Sequence, residues 1–247
     1  MKRHVNFRRL HNFRDLGGYR AADGRSVRWG VLYRADSLAK LADEDWDRFV
    51  ALGIRTVIDL RYPWEIERRG RIPQAERFTY ANLSIEHRPY DQAEIDPDTD
   101  PWRYLADRFA EVAQDGVQEI RQAIELIAAS DGPLVFHCTS GKDRTGLLAA
   151  LVLTLLNVSA EQVLADFALT ELATGRLVAD WHEANPGREL TWHSYGRAPA
   201  EVMRLVLADL ESDHGSVRNY LTGPVGIQED VIARLRERLL TPGGTVG

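Results

Sequence analysis

The chain of 247 residues predicts an α/β fold, a central and mostly parallel sheet flanked by helices. Three observations predict it. A short amphipathic helix over Asp43–Ile54 is followed at once by the apolar strand Thr56–Arg61, and that tight helix-to-strand connection is the unit of a layered α/β sheet. A second apolar strand, Leu134–Phe136, runs through a polar loop into the apolar run Leu147–Leu156, long enough for three helical turns. The remainder is dominated by helical periodicity: Pro199–Leu210, Gly215–Leu221 and Ile227–Leu240 read as a helical layer over the sheet.

In chain order, Asn12-Phe13-Arg14-Asp15-Leu16-Gly17-Gly18 comes first. Paired glycines mark a turn that needs positive φ or close backbone approach, leading into a hairpin with Ser26–Arg34. In the helix over Asp43–Ile54, acids fill the first turn, where the dipole favours them, and Gly53 suits the left-handed residue after the last turn. Asp59 and Arg61 close the strand that follows. In such sheets ligands bind beyond the carboxyl ends of the strands, so the pair is either in contact with substrate or a local ion pair. Pro63–Arg71 reads as a solvated basic turn, and a strand is expected around Phe78–Leu83.

Composition then shifts. Residues 86–100 are rich in Asp, Glu and Pro, ending at Asp100-Pro101, a good N-cap and first helical residue. Trp102, Leu105, Phe109 and Val112 recur at helical spacing. A polar segment feeding an amphipathic helix predicts a lid insertion over about 86–116, its apolar face turned to the pocket; the alternative is an ordinary helix packed on the sheet. Val117–Ala129 is a core helix, and Ser159-Ala160-Glu161-Gln162 has the pattern of a capping box opening another. No linker or repeat divides the chain. The expectation is a single domain over 1–240 with a flexible tail over 241–247.

The stretch that carries chemistry is His137-Cys138-Thr139-Ser140-Gly141-Lys142-Asp143-Arg144-Thr145-Gly146. Strand, tight loop and buried helix, in that order, set backbone N–H groups and a helix N-terminus around an anion. In such a place, beside an Arg, a cysteine pKa falls from about 8.5 to roughly 3.5–7.5, so Cys138 is expected as a thiolate. Arg144 can hold two phosphate oxygens in a bidentate fork. Residues 139–144 are therefore the predicted phosphate-binding loop (Thr139, Ser140, Gly141, Lys142, Asp143, Arg144), and the site reads as one of covalent phosphate transfer. A nucleotide-binding P-loop fits poorly, since Asp143 rather than Ser or Thr follows Gly141-Lys142.

His-Cys-x5-Arg-Thr-Gly resembles the signature of the protein tyrosine phosphatases, and the whole stretch is similar to their bacterial branch of atypical tyrosine and phosphoinositide phosphatases. Asn12-Phe13-Arg14-Asp15-Leu16-Gly17-Gly18 resembles an N-terminal segment of the same branch. The resemblance implies a tyrosine-phosphatase-like fold, Cys138 as nucleophile, Arg144 as phosphoryl ligand and Thr145 assisting breakdown of a phosphocysteine. It also implies Asp143 as general acid, although the adjacent Arg144 would hold that carboxylate ionised. Asp59, Asp91, Asp96, Asp98 and Asp100 are the other candidates by position. His137 is expected to anchor the loop. Lys142 accompanies activity on phosphoinositides in the family, so phosphoprotein and phosphoinositide are both implied substrates, with inorganic phosphate as product. The competing function is a phosphate-dependent binding module without catalysis.

A net charge of −6 argues against a general nucleic-acid surface. The single cysteine excludes an internal disulfide and leaves an oxidised Cys138 without a resolving partner. The histidines lack metal-ligand spacing, so neither metal nor cofactor is expected. The first residues lack the apolar core of a signal peptide, and no stretch is long enough to span a bilayer. A cytoplasmic protein is expected, with export by a signal-less route left open.

Overall fold

The structure, a computed structural model, describes residues 2–85, 95–96, 98–192 and 194–242. The described residues form a five-stranded sheet in the order β1-β2-β5-β3-β4. The strands are β1 (Arg14–Asp15), β2 (Leu32–Ala35), β3 (Thr56–Asp59), β4 (Thr79–Asn82) and β5 (Leu134–His137). Only the β1–β2 pair is antiparallel. This is the α/β architecture that the sequence predicts. The helices are α1 (Glu44–Ala51), α2 (Pro63–Arg69), α3 (Pro101–Asp115), α4 (Val117–Ala129), α5 (Asp143–Leu155), α6 (Ala160–Ala168), α7 (Thr174–Ala184), α8 (Ala200–His214), α9 (Val217–Thr222) and α10 (Glu229–Leu239).

Strand periodicity divides the core. Leu32, Ile58, Leu134 and Phe136 pack on one face with α3–α6 and α8–α10, while Tyr33, Ala35, Val57 and Val135 pack on the other with Phe13, Phe49 and Leu38. β5 lies between β2 and β3, with Ala35, His137 and Asp59 in register at their carboxyl ends. The loop after β5 therefore opens at the centre of the sheet edge. α5, apolar nearly all round, runs back from it and is buried from Arg144 to Leu153.

Gly17 and Gly18 meet both conditions expected of them. A Cβ on Gly17 would stand 2.5 Å from Cα of Trp29, and Gly18 has φ +83°. Two expectations need correction. Pro63–Arg71 is largely solvated as expected, but Pro63–Arg69 is helix α2 rather than a turn, and its Glu65 is buried because the carboxylate has partners inside. The apolar stripe of α3, expected to face the pocket, is core: Leu105, Phe109 and Val112 are buried, with Phe109 edge-on to Phe167 of α6. Packing against α8 and α6 removes more apolar area from water than an open pocket would. The upstream half of the predicted lid, residues 86–94, and the tail 243–247 lie outside the described residues. Among the described residues no helix is long and apolar enough to cross a membrane.

Candidate active site

Four successive carbonyls of the loop after β5 are tied outward to the framework. His137 Nδ1 lies 3.1 Å from the Cys138 oxygen, and the Ser37 amide donates to that of Thr139 at 3.0 Å. Asn12 Nδ2 donates to the oxygens of Ser140 and Gly141, both at 3.0 Å, and Arg34 adds a bond to Gly141 at 2.8 Å. In a trans peptide plane the carbonyl and the following N–H point in opposite directions. The amides that follow those carbonyls, on Thr139, Ser140, Gly141 and Lys142, are thereby directed away from the anchors, an arrangement able to take an anion at the start of α5. The turn needs Gly141: its φ is +65°, and a Cβ there would stand 2.5 Å from the Ala35 oxygen.

Cys138 is a free thiol at the base of this loop, 2% exposed. Arg144 is fixed by Glu65 of α2: its two terminal nitrogens donate to the two carboxylate oxygens at 2.7 and 3.1 Å, and one also reaches the Leu60 oxygen at 3.2 Å. The guanidinium lies 5.0 Å from the centre of the Tyr62 ring. Burial pushes the Glu65 carboxyl up, but the bonds and charge of Arg144 outweigh it and hold the group ionised. The Thr139 hydroxyl also donates to Glu65. Five guanidinium donors leave Arg144 capacity for a phosphoryl group beyond what Glu65 takes.

The structure brings Cys138, Thr139, Ser140, Gly141, Lys142, Asp143, Arg144 and Thr145 onto one loop and helix start. Asp143 Oδ1 is 3.4 Å from Lys142 Nζ and, among the described residues, accepts no hydrogen bond. The Thr145 hydroxyl is likewise buried with no hydrogen-bond partner among them. His137 is fully buried, with Nε2 3.5 Å from Asp59 Oδ2. Burial lowers its pKa against the pull of that carboxylate, so the ring is neutral at pH 7.

Asp59 and Arg61 form a buried ion pair at 2.6 Å, braced further by Tyr80, Ser37 and the Gly70 oxygen. The pair has no exposed surface, and the partners just named are all framework groups. Asp100 caps α3 by accepting from Trp102 at 3.0 Å, and Asp96 bonds the Asp98 amide; both engagements are local. Asp91 lies outside the described residues.

The sequence reading missed Asn12, Arg14, Arg34, Glu65 and Asp166. Charged residues inside apolar strands and a lone acid on the apolar face Val163-Leu164-x-x-Phe167 were the available signals. Beside the loop lies a cavity of about 690 Å³ that reaches Thr139 and Ser140 and is lined also by Arg8, Arg9, Lys40 and Arg69, by Asp180 and Glu183, and by Trp181.

A family model described as "Tyrosine phosphatase family" matches residues 5–241. The chain is 30% identical over 220 residues to a tyrosine-protein phosphatase of Nostoc commune, covering 83% of this chain and 73% of that protein. It is 25% identical over 277 residues to the triple specificity protein phosphatase PtpB of Mycobacterium tuberculosis, covering 93% and 96%. A match that runs from the N-terminal segment holding the loop to the helices behind it, on a loop built to take an anion, leaves one assignment: the chain belongs to the tyrosine phosphatase family.

Proposed function

We propose that the protein hydrolyses phosphomonoesters, phosphotyrosine first among them, through a phosphocysteine on Cys138. The observation that carries this reading is the set of four consecutive loop carbonyls bonded to the framework, with Cys138 at the base of the loop and Arg144 at the start of the helix that follows. The Cys138 thiolate attacks phosphorus in line while the loop amides and Arg144 take the equatorial oxygens. The bond from phosphorus to the leaving oxygen breaks, and that oxygen takes a proton from Asp143. Water then attacks the phosphocysteine, giving its proton back to Asp143. The sulfur leaves as thiolate, accepting a hydrogen bond from Thr145, and inorganic phosphate is released.

Asp143 is the better acid because Asp59 is enclosed by Arg61 and Tyr80, whereas Oδ1 of Asp143 accepts no hydrogen bond among the described residues. The resemblance carried by Lys142, and a cavity whose Arg8, Arg9, Lys40 and Arg69 outnumber its Asp180 and Glu183, support substrates with further negative charge, both phosphoproteins and phosphoinositides. A cytoplasmic site of action, on substrates other than nucleic acid, completes the proposal.

The test is phosphate release from phosphotyrosine, phosphoserine and phosphoinositide panels. Cys138→Ser is expected to abolish turnover while phosphopeptide binding persists. Binding by the wild type without any turnover would instead establish a phosphate-dependent binding module.

A further inference from the structure

Among the described residues three large hydrophobic side chains stand exposed: Val50, Trp64 and Leu172. A single exposed apolar group is ordinary on a protein surface. Trp64 is set apart by what it touches. It is 55% exposed, and its ring lies nearly parallel to that of Tyr62, at 14° with centres 5.7 Å apart. Tyr62 is buried, and the Arg144 guanidinium lies 5.0 Å from its ring centre. Two successive contacts therefore lead from the guanidinium expected to hold the phosphoryl group to an indole exposed to solvent.

The first turn of α2 fixes that order. Pro63 presets the backbone at the first helical position, and the Tyr62 amide donates to Glu65 Oε2 at 2.8 Å. The same carboxylate grips Arg144. Tyr62, Trp64 and Glu65 thus belong to one turn clamped onto the guanidinium. That turn follows β3, whose carboxyl end is in register with that of β5, so it stands at the sheet edge where the loop opens. The Tyr62 stack is the one ring contact of Trp64 among the described residues. More than half of the side chain is left for a group from outside.

We propose that Trp64 is a specificity-determining residue that receives the aromatic ring of the substrate, and so favours phosphotyrosyl peptides over alkyl phosphates. This rests on the reading of the loop and Arg144 as the phosphate site. A phosphoryl group held by Arg144 sends its organic part outward, past the turn that carries Tyr62 and Trp64. In phosphotyrosine that part is a flat ring, able to extend the Tyr62–Trp64 stack. Phosphoserine offers one methylene and no ring face. Aromatic rings packed offset or edge to face gain beyond the area they bury, by about three- to tenfold in affinity for each added pair.

Binding by the Cys138→Ser protein, which needs no turnover, tests this. A phosphotyrosine peptide and inorganic phosphate are each titrated into that protein with Trp64 intact, with Trp64→Ala and with Trp64→Phe. Trp64→Ala is expected to weaken the phosphotyrosine peptide about three- to tenfold while inorganic phosphate stays within about twofold. Trp64→Phe, which keeps a ring, is expected to stay within about twofold for both ligands. Equal weakening of both by Trp64→Ala would mean that the indole only braces Glu65 and Arg144, and overturns the proposal. Unchanged peptide affinity overturns it too, and is the result expected if Trp64 meets a partner protein or a membrane instead. In both of those failures phosphate is still bound by the protein with Trp64 intact. A Cys138→Ser protein that binds neither ligand would instead sink the phosphate site itself. Selective weakening of the peptide, alongside a wild type that releases no phosphate, would sink the phosphatase reading and leave this one standing.

Discussion

Glu65 meets both terminal nitrogens of Arg144, one carboxylate oxygen at 2.7 Å and the other at 3.1 Å. The contact joins α2, which follows the strand β3, to the start of α5. It presets the plane of the guanidinium before substrate arrives, and such preorganisation is where much of an enzyme's advantage over water lies.

Glu65→Gln keeps the shape of the side chain and removes its charge. A guanidinium misplaced by about 1 Å costs on the order of 10²-fold in rate, so kcat/KM on a phosphotyrosine peptide is expected to fall between tenfold and a hundredfold. Steady-state kinetics that stay within twofold of wild type would show that Arg144 orients itself.

For Asp143→Asn the informative variable is the leaving group. General acid catalysis is worth about 10²–10⁴-fold, and its loss is felt most where the departing oxygen is basic. Turnover of a phosphotyrosine peptide is expected to drop by at least about 10²-fold, with an activated nitrophenyl phosphate nearly unaffected. Equal losses on both substrates would assign the proton to another group.

Gly141→Ala places a methyl 2.5 Å from the Ala35 oxygen on backbone already at φ +65°. Neither β2 nor the loop can yield without breaking the Gly141 anchors. The expected cost is about 1–3 kcal/mol of stability together with most of the activity. Urea unfolding checks the first, and a midpoint unchanged from wild type would mean that the loop re-forms elsewhere.

Acid should weaken the fold through two buried carboxylates. Burial pushes Asp166 and Glu65 up, but the arginines beside them hold both folded-state pKa values below the ordinary carboxylate values of 3.8 and 4.5. A depressed carboxylate pKa contributes stability that is present above the unfolded pKa and is lost as pH falls through the folded one. Urea midpoints are therefore expected to hold from pH 7 to about 5 and to decline below about 4.5. Asp166→Asn should start lower and decline less steeply. A variant curve parallel to wild type throughout would remove Asp166 from the account.

By itself the sequence determined what depends on neighbours along the chain. Alternating or continuous apolar runs gave the strands, and Asp100-Pro101 marked the start of α3. The stretch from Cys138 to Arg144 was legible as a tight loop between strand and helix, because five residues between β5 and α5 are one local turn. Tertiary structure alone decided which distant charges serve that turn. Glu65 lies 79 positions from Arg144, and Asp166 lies 152 from Arg14 and 132 from Arg34. Nothing local in Pro63–Arg71 distinguishes a solvated acid from one buried on an arginine. The same holds for the stripe of α3: periodicity shows that Leu105 and Phe109 share a face, and only the position of α8 shows that the face is core. Burial of a charge is favourable only when its partner is already in place, and that partner is brought by the fold.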